Sequence, residues 1–293
     1  MERTILVYDA FTDEMFKGNP AGVVLGIADL SVEEMRKIAR EFNYPETVFI
    51  DTDAEVLKVR FFTPKEEVDL CGHATIAYVT ALIERGILKL KEGKNILKVQ
   101  TNLGQLPIVI NSIGDNLEIM MYQASPKIEF VENLEYWRGR IAKALGITVG
   151  EFGKELEIVK AYTGIWDLMI EIRDREILNR INPNMEMIKE ISKELEIISF
   201  HLFVLKDKEV YARNMAPVVD IPEEAATGTS NGALIYYLYL NKKIELEEKI
   251  EIVQGETMGR KSKILGQLIL ENGRVEVLIG GKAVKFIEGK IDI

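Results

Sequence analysis

Two stretches hold most of the side chains able to do chemistry, and they are built alike. The first runs Arg60-Phe-Phe-Thr-Pro64, then Glu66, Glu67 and Asp69, then Leu70-Cys71-Gly72-His73-Ala74-Thr75. The second runs Arg213-Asn-Met-Ala-Pro217, then Asp220, Glu223 and Glu224, then Ala225-Ala226-Thr227-Gly228-Thr229. The Arg and the Pro recur 153 residues apart, close to half of the 293-residue chain. Each stretch leads through a glycine into an uncharged run, ten residues from Ala74 to Ile83 and nine from Gly232 to Leu240. A run that is apolar on every face reads as a buried helix. The first N–H groups of such a helix have no partner within it, and the positive end of its dipole lies there. That is an anion site that needs no lysine. Taken singly, either copy reads as an ordinary core helix behind a glycine. The repeat favours two half-molecules whose helix starts oppose each other over one small carboxylate substrate.

Composition narrows the classes. The net charge is −10, from 37 basic and 47 acidic residues, with no Lys/Arg block, which argues against nucleic acid or an anionic membrane as partner. The apolar fraction of 47 % suits a globular protein long enough for two domains. The first residues read straight into a strand, no signal peptide is recognised and no run is long enough to span a bilayer, so a cytoplasmic protein is expected. Cys71 is the only cysteine, so no internal disulfide can form. With two histidines and only Cys71 and His73 close in sequence, no metal centre is expected, and no cofactor motif is found. Gly255-Glu-Thr-Met-Gly259-Arg-Lys-Ser262 has the wrong spacing for a P-loop, and there is neither a G-x-G-x-x-G nor a G-x-S-x-G. His201, inside Phe200-His-Leu-Phe-Val, reads as a core imidazole.

The elements that must position these residues follow from local signals. Strands are expected at Thr4–Tyr8, Ala21–Gly26 and Thr47–Ile50, with Glu46 in the loop just before the last of these. Ser31-Val-Glu-Glu34 is a capping box that opens a helix to about Phe42, and Pro45 ends it. Leu57–Thr63 reads as the strand delivering the first stretch, and Ile197–Leu205 with Val210–Arg213 as those delivering the second. Asn182-Pro183 is expected to cap a helix reaching about Glu196. Asn272-Gly273 predicts a tight hairpin and Gly280-Gly281 the turn after it. Residues 1–115 with 284–293 are expected to form one domain and 116–283 the other, divided near Gly114–Asn116, with the strand Val284–Ile293 returning to the first.

Eight blocks in order, Asp9-Ala-Phe-Thr12, Gly18-Asn-Pro-Ala21, Glu46-Thr47, Phe62-Thr-Pro64, Cys71-Gly-His-Ala-Thr75, Ala226-Thr-Gly228, Gln254-Gly255 and Met258-Gly-Arg260, resemble the phenazine-biosynthesis-like (PhzF-like) isomerases and epimerases. The resemblance implies an α+β, diaminopimelate epimerase-like fold: two pseudo-symmetric domains, each a curled, mostly antiparallel sheet around a central buried helix. It implies Glu46 as the acid/base, His73 beside the substrate, and Glu224 where the family has an aspartate, with Ala225 in place of the following proline. It also implies that the backbones at Gly72–His73 and Gly228–Thr229 bind the carboxylate, that Asn19 contacts substrate, and that the protein is a homodimer. Diaminopimelate epimerase and proline racemase use two opposed cysteines; Cys71 falls on one of those positions and Ala225 on the other, so one thiol is missing and Cys71 reads as structural. The expected reaction is a cofactor-independent proton shift between carbons of a small amino or hydroxy acid, with the Glu46 pKa raised by burial. The alternatives are a two-base epimerase or racemase using Glu46 with Glu224 or His73, and a non-catalytic small-molecule-binding protein of the same fold.

Overall fold

The computed structural model describes residues 2–52, 54–206 and 208–292. The expected last strand reached Ile293, which lies outside the described residues. In chain order the elements are β1 (Glu2–Ala10), β2 (Asn19–Leu25), α1 (Val32–Phe42), β3 (Glu46–Asp51), β4 (Lys58–Phe62), β5 (Glu67–Val68), α2 (Gly72–Glu84), β6 (Gly93–Thr101), β7 (Gly104–Ile113) and β8 (Asn116–Tyr122). There follow β9 (Lys127–Phe130), α3 (Leu134–Leu145), β10 (Val159–Tyr162), β11 (Trp166–Glu171), α4 (Arg175–Arg180), α5 (Met185–Leu195), β12 (Ser199–Lys206), β13 (Glu209–Ala216), β14 (Ile221–Glu224), α6 (Gly228–Leu240), β15 (Lys249–Gln254), β16 (Ser262–Glu271), β17 (Arg274–Gly281) and β18 (Ala283–Asp292).

The chain forms two compact units, Met1–Met121 with Gly280–Ile293, and Tyr122–Ile279. Gly114-Asp115 does not separate them. It is the two-residue turn of the β7–β8 hairpin, whose register pairs Ile113 with Asn116, so the first unit runs on to Met121.

In the first unit β1 is central, antiparallel to both β2 and β18, and β2 runs parallel to β3. The parallel step is bridged by α1, whose Ser31–Glu34 capping box is formed in both directions. Helix α2 packs on β1, β2, β3 and β18, and every residue from His73 to Leu82 is buried. That explains the absence of charge from Ala74 to Ile83. The second unit repeats the plan: β11 runs parallel to β12, β12 antiparallel to β13, and α6 packs on β10, β11 and β16. A satellite core of this unit gathers Ile141, Leu145, Ile170, Ile188, Phe200 and Met215.

Some local expectations move. Glu46 is the first residue of β3, opposite Ala21 of β2, not a loop residue. The cap of α5 is Asn184, whose side chain accepts from the Met187 N–H; Asn182 is not used, because Pro183 is followed by a better-placed Asn. Helix α4, capped by Asp174 through the Ile177 N–H, gave too short an apolar pattern to read. Gly280-Gly281 lies within β17 and is not a turn: a Cβ on Gly280 would run into the Ile119 carbonyl oxygen. Asn272 and Gly273 both have positive φ, 52° and 76°, as a tight hairpin turn requires.

Candidate active site

The repeated Arg has a structural role. Arg60 donates from Nε and Nη2 to the two carboxylate oxygens of Glu67, at 2.7 and 2.6 Å. Arg213 makes the same fork with Glu223 at 2.8 and 2.9 Å, and donates from Nη1 to the carbonyls of Leu178 and Ile181 at 2.9 Å. Each fork ties the strand end to the acidic loop that precedes its helix, and so fixes where the helix begins.

In the first unit that beginning is Cys71, the N-cap of α2, followed by Gly72 and His73. Helix α2 has neither a side-chain cap nor an acidic residue in its first turn, so no carboxylate of its own competes at its positive end. His73 is 5 % exposed. Its Nε2 lies 3.0 Å from Oε2 of Glu46, which the start of β3 brings up from 27 residues away. Its Nδ1 lies 3.3 Å from the Cys71 Sγ and 3.4 Å from the Asn19 Nδ2. Asn19 starts β2. The turn before it needs Gly18, at φ 60°, where a Cβ would collide with the Ala10 carbonyl. Asn19, Glu46, Cys71 and His73 therefore form one cluster; Gly72 is half-buried beside it.

The electrostatics differ from expectation. Burial alone would push the Glu46 carboxyl up, and it is the largest single influence. The charge and hydrogen bond of His73, with a hydrogen bond from Cys71, together outweigh it, and the pKa of Glu46 is lowered rather than raised. For His73 burial works against the charged form, yet Cys71 and Glu46 hold its pKa well above 6.5. Burial, and next the Glu46 charge, push the Cys71 thiol up. Within the cluster Glu46 and His73 each favour the other's charged form, and Cys71 is pushed toward its neutral form. Ligand atoms of Glu46, Cys71 and His73 all lie within 4.8 Å of one another, a grouping not foreseen from the Cys71–His73 pair.

In the second unit Glu224 ends β14, opposite Asn214 of β13, and its Oε2 accepts from the Thr227 hydroxyl at 2.8 Å. Thr227 is the N-cap of α6 and Gly228 its first residue; that helix too lacks a side-chain cap and an acidic first turn. The Thr229 carbonyl accepts from Thr163 Oγ1 at 2.7 Å. Both N-caps are extended, Cys71 at φ −141° and Thr227 at φ −122°. The counterpart of Cys71 is therefore Thr227 and not Ala225, which lies two residues earlier. Cys71, read from sequence as structural, touches both members of the ion pair. Its position immediately before the Gly-His pair was the available signal.

A family model of phenazine biosynthesis-like proteins (PhzC-PhzF) matches residues 8–289. The chain belongs to the phenazine biosynthesis-like family. A relative in Bacillus subtilis, described as the uncharacterized isomerase YfhB, is 34 % identical over 290 residues, covering 97 % of this chain and 96 % of its own. The crystal structure of a PhzF-family phenazine biosynthesis protein from Bacillus anthracis is similar over 100 % of both chains, with a TM-score of 0.89 at 28 % identity. A hydroxyproline epimerase from Agrobacterium vitis, solved with trans-4-hydroxy-L-proline, is similar at a TM-score of 0.62 and 12 % identity, over 99 % of this chain and 91 % of that one. At that identity the likeness concerns the fold alone. This phenazine biosynthesis-like protein is thus α+β with the diaminopimelate epimerase-like fold, and among its described residues no helix is long and apolar enough to cross a membrane.

Proposed function

We propose that the protein is an isomerase that moves a proton between carbons of a small amino or hydroxy acid, without a cofactor, with Glu46 as the acid/base. The observation that carries this reading is the 3.0 Å Glu46–His73 pair at the uncapped start of a buried helix. Family membership and relatives described as isomerases support it.

The glutamate is poised as a base. Its carboxylate takes a proton from a carbon next to the substrate carboxyl, and the electron pair left behind spreads into that carboxyl as an enolate. The N–H groups at the start of α2 and the His73 imidazolium are donors suited to that charge. In a substrate with a carbon–carbon double bond beside that carbon, Glu46, now a carboxylic acid, returns the same proton to the far carbon of the double bond, and the double bond moves one place toward the carboxyl. His73 keeps the glutamate ionised before the step and strengthens its acidity for the return. A positioned acid/base of this kind is worth roughly 10²–10⁴-fold.

A stereochemical inversion, the second reading, needs a base besides Glu46 on the opposite face of the carbon. Solvent deuterium separates the two. A single-base shuttle returns the substrate's own hydrogen in part, whereas two bases load the product with deuterium. The test of the main reading is Glu46→Gln with a substrate found by a thermal-shift screen of small amino and hydroxy acids. The variant is expected to bind that acid and to lose turnover; unchanged turnover overturns the assignment.

A further inference from the structure

The second unit holds a buried polar chain that the proposed reaction does not use. His201, Asn214, Asn231 and Gln254 are each no more than 1 % exposed. The orientations of the Asn231 and Gln254 amides are set by backbone carbonyls, which can only accept. Asn231 Nδ2 faces the Thr227 carbonyl at 2.8 Å, so the amide nitrogen lies there and Oδ1 faces His201. At 3.1 Å from that oxygen, His201 Nε2 must donate, and Nδ1 then accepts from Asn214 Nδ2 at 3.0 Å. Gln254 Nε2 faces the Glu224 carbonyl at 2.8 Å, so its Oε1 accepts from Asn231 Nδ2 at 2.7 Å and from the Thr227 N–H at 3.4 Å. The same Nε2 donates to Thr227 Oγ1 at 3.1 Å. Thr227 Oγ1 accepts there and donates its own hydrogen to Glu224 Oε2, 2.8 Å away.

We infer that Asn231 and Gln254 are positioning residues for Glu224: they set a one-way hydrogen-bond chain, His201 to Asn231 to Gln254 to Thr227, whose last donor holds the Glu224 carboxylate as a fixed acceptor. The orientation of the Glu224 carboxyl is then set from within the second unit. The chain also explains why Thr227 does not cap its own helix: its hydroxyl is directed outward to Glu224. This inference concerns the second unit alone and stands whether or not Glu46 moves a proton.

Removing the donor at residue 254 tests it. In Gln254→Glu the nitrogen that donates to Thr227 becomes an acceptor, which draws the Thr227 hydroxyl hydrogen away from Glu224 while the other oxygen still accepts from Asn231. Gln254→Asp carries the same acceptor on a shorter side chain and serves if the first variant does not fold. Neutron diffraction from deuterated crystals locates the Thr227 hydroxyl deuterium, and long-range ¹H–¹⁵N spectra report the His201 tautomer. The wild type is expected to show deuterium between Thr227 and Glu224 and a proton on His201 Nε2 alone. The variants are expected to turn that deuterium toward residue 254. Thr227→Ser is expected to keep it on Glu224. A wild type with His201 protonated on Nδ1, or a folded variant whose Thr227 deuterium still points at Glu224, overturns the inference.

Discussion

Replacing Asp167 by asparagine has a consequence for stability that can be worked from its surroundings. Asp167 is fully buried, its Oδ1 accepts from the Ser199 hydroxyl at 2.6 Å, and its Oδ2 has no hydrogen-bond partner. Burial, aided by the charge of Glu224, raises its pKa from 3.8 to about 7 against the hydrogen bonds from Ser199 and Ser230. The folded protein therefore keeps a proton that the unfolded chain has already lost. Its stabilising effect is complete below pH 3.8 and disappears as the pH rises through about 7. At about 1.4 kcal/mol per pH unit, the whole window is worth about 4 kcal/mol. The amide introduced by Asp167→Asn does not titrate; any constant cost of placing its nitrogen where Oδ2 stood leaves the slope untouched. His201, whose pKa burial lowers to about 4, acts with the opposite sign, losing stability as the pH falls from 6.5 toward 4, but it is present in both proteins and drops out of their difference. Urea unfolding of wild type and Asp167→Asn between pH 4 and pH 8 is expected to show the variant gaining on the wild type at higher pH by most of about 4 kcal/mol. A difference that changes by less than about 1 kcal/mol over that range refutes the assignment of a protonated Asp167.

Other outcomes follow from the same structure. Arg213→Met is expected to cost about 3–5 kcal/mol in urea unfolding, because it strands Glu223 beside a nearly buried fork, whereas Arg60→Met, where Arg60 is 31 % and Glu67 22 % exposed, is expected to cost about 1 kcal/mol or less. Equal costs would contradict the burial argument. Gly280→Ala should lower the midpoint of unfolding by the equivalent of about 2 kcal/mol or more, since its Cβ meets the Ile119 carbonyl and β17 must shift; a neutral variant would show that the strand yields freely. Cys71→Ser is expected to keep the hydrogen-bonded contact to His73 and most of the turnover, and Cys71→Ala to lose roughly 5-fold, about 1 kcal/mol; the reverse order would remove Cys71 from the cluster.

What could be read from the chain and what could not divide along physical lines. The two central helices were legible because an uncharged run apolar on every face has few places to go but the core, as His73–Leu82 shows. Ser31–Glu34 and Asn272-Gly273 were legible because capping and tight turns are decided within four residues. Asn184 displaced Asn182 as a cap because two candidates stood side by side, and only the packing of α5 chooses between them. Glu46 and His73 were each named from a separate motif, but nothing local states that they lie 3.0 Å apart, so the carboxyl was given the upward shift that burial alone would cause. The Asn231–Gln254 contact joins residues 23 apart in sequence, and its meaning rests on which end of each amide faces a carbonyl, a fact that no periodicity carries.

The central claim is that Glu46 and His73 rest as a carboxylate–imidazolium pair, and the ¹⁵N titration of His73 in wild type and Glu46→Gln tests it most directly, with His201→Gln assigning the two imidazole signals. The structure predicts that His73 in the wild type stays protonated well above pH 6.5, since the folded pair raises its pKa, and that without the Glu46 charge it loses its proton at lower pH, because burial then acts with less to oppose it. A His73 that titrates at or below pH 6.5 in the wild type, and does so unchanged in Glu46→Gln, contradicts the account.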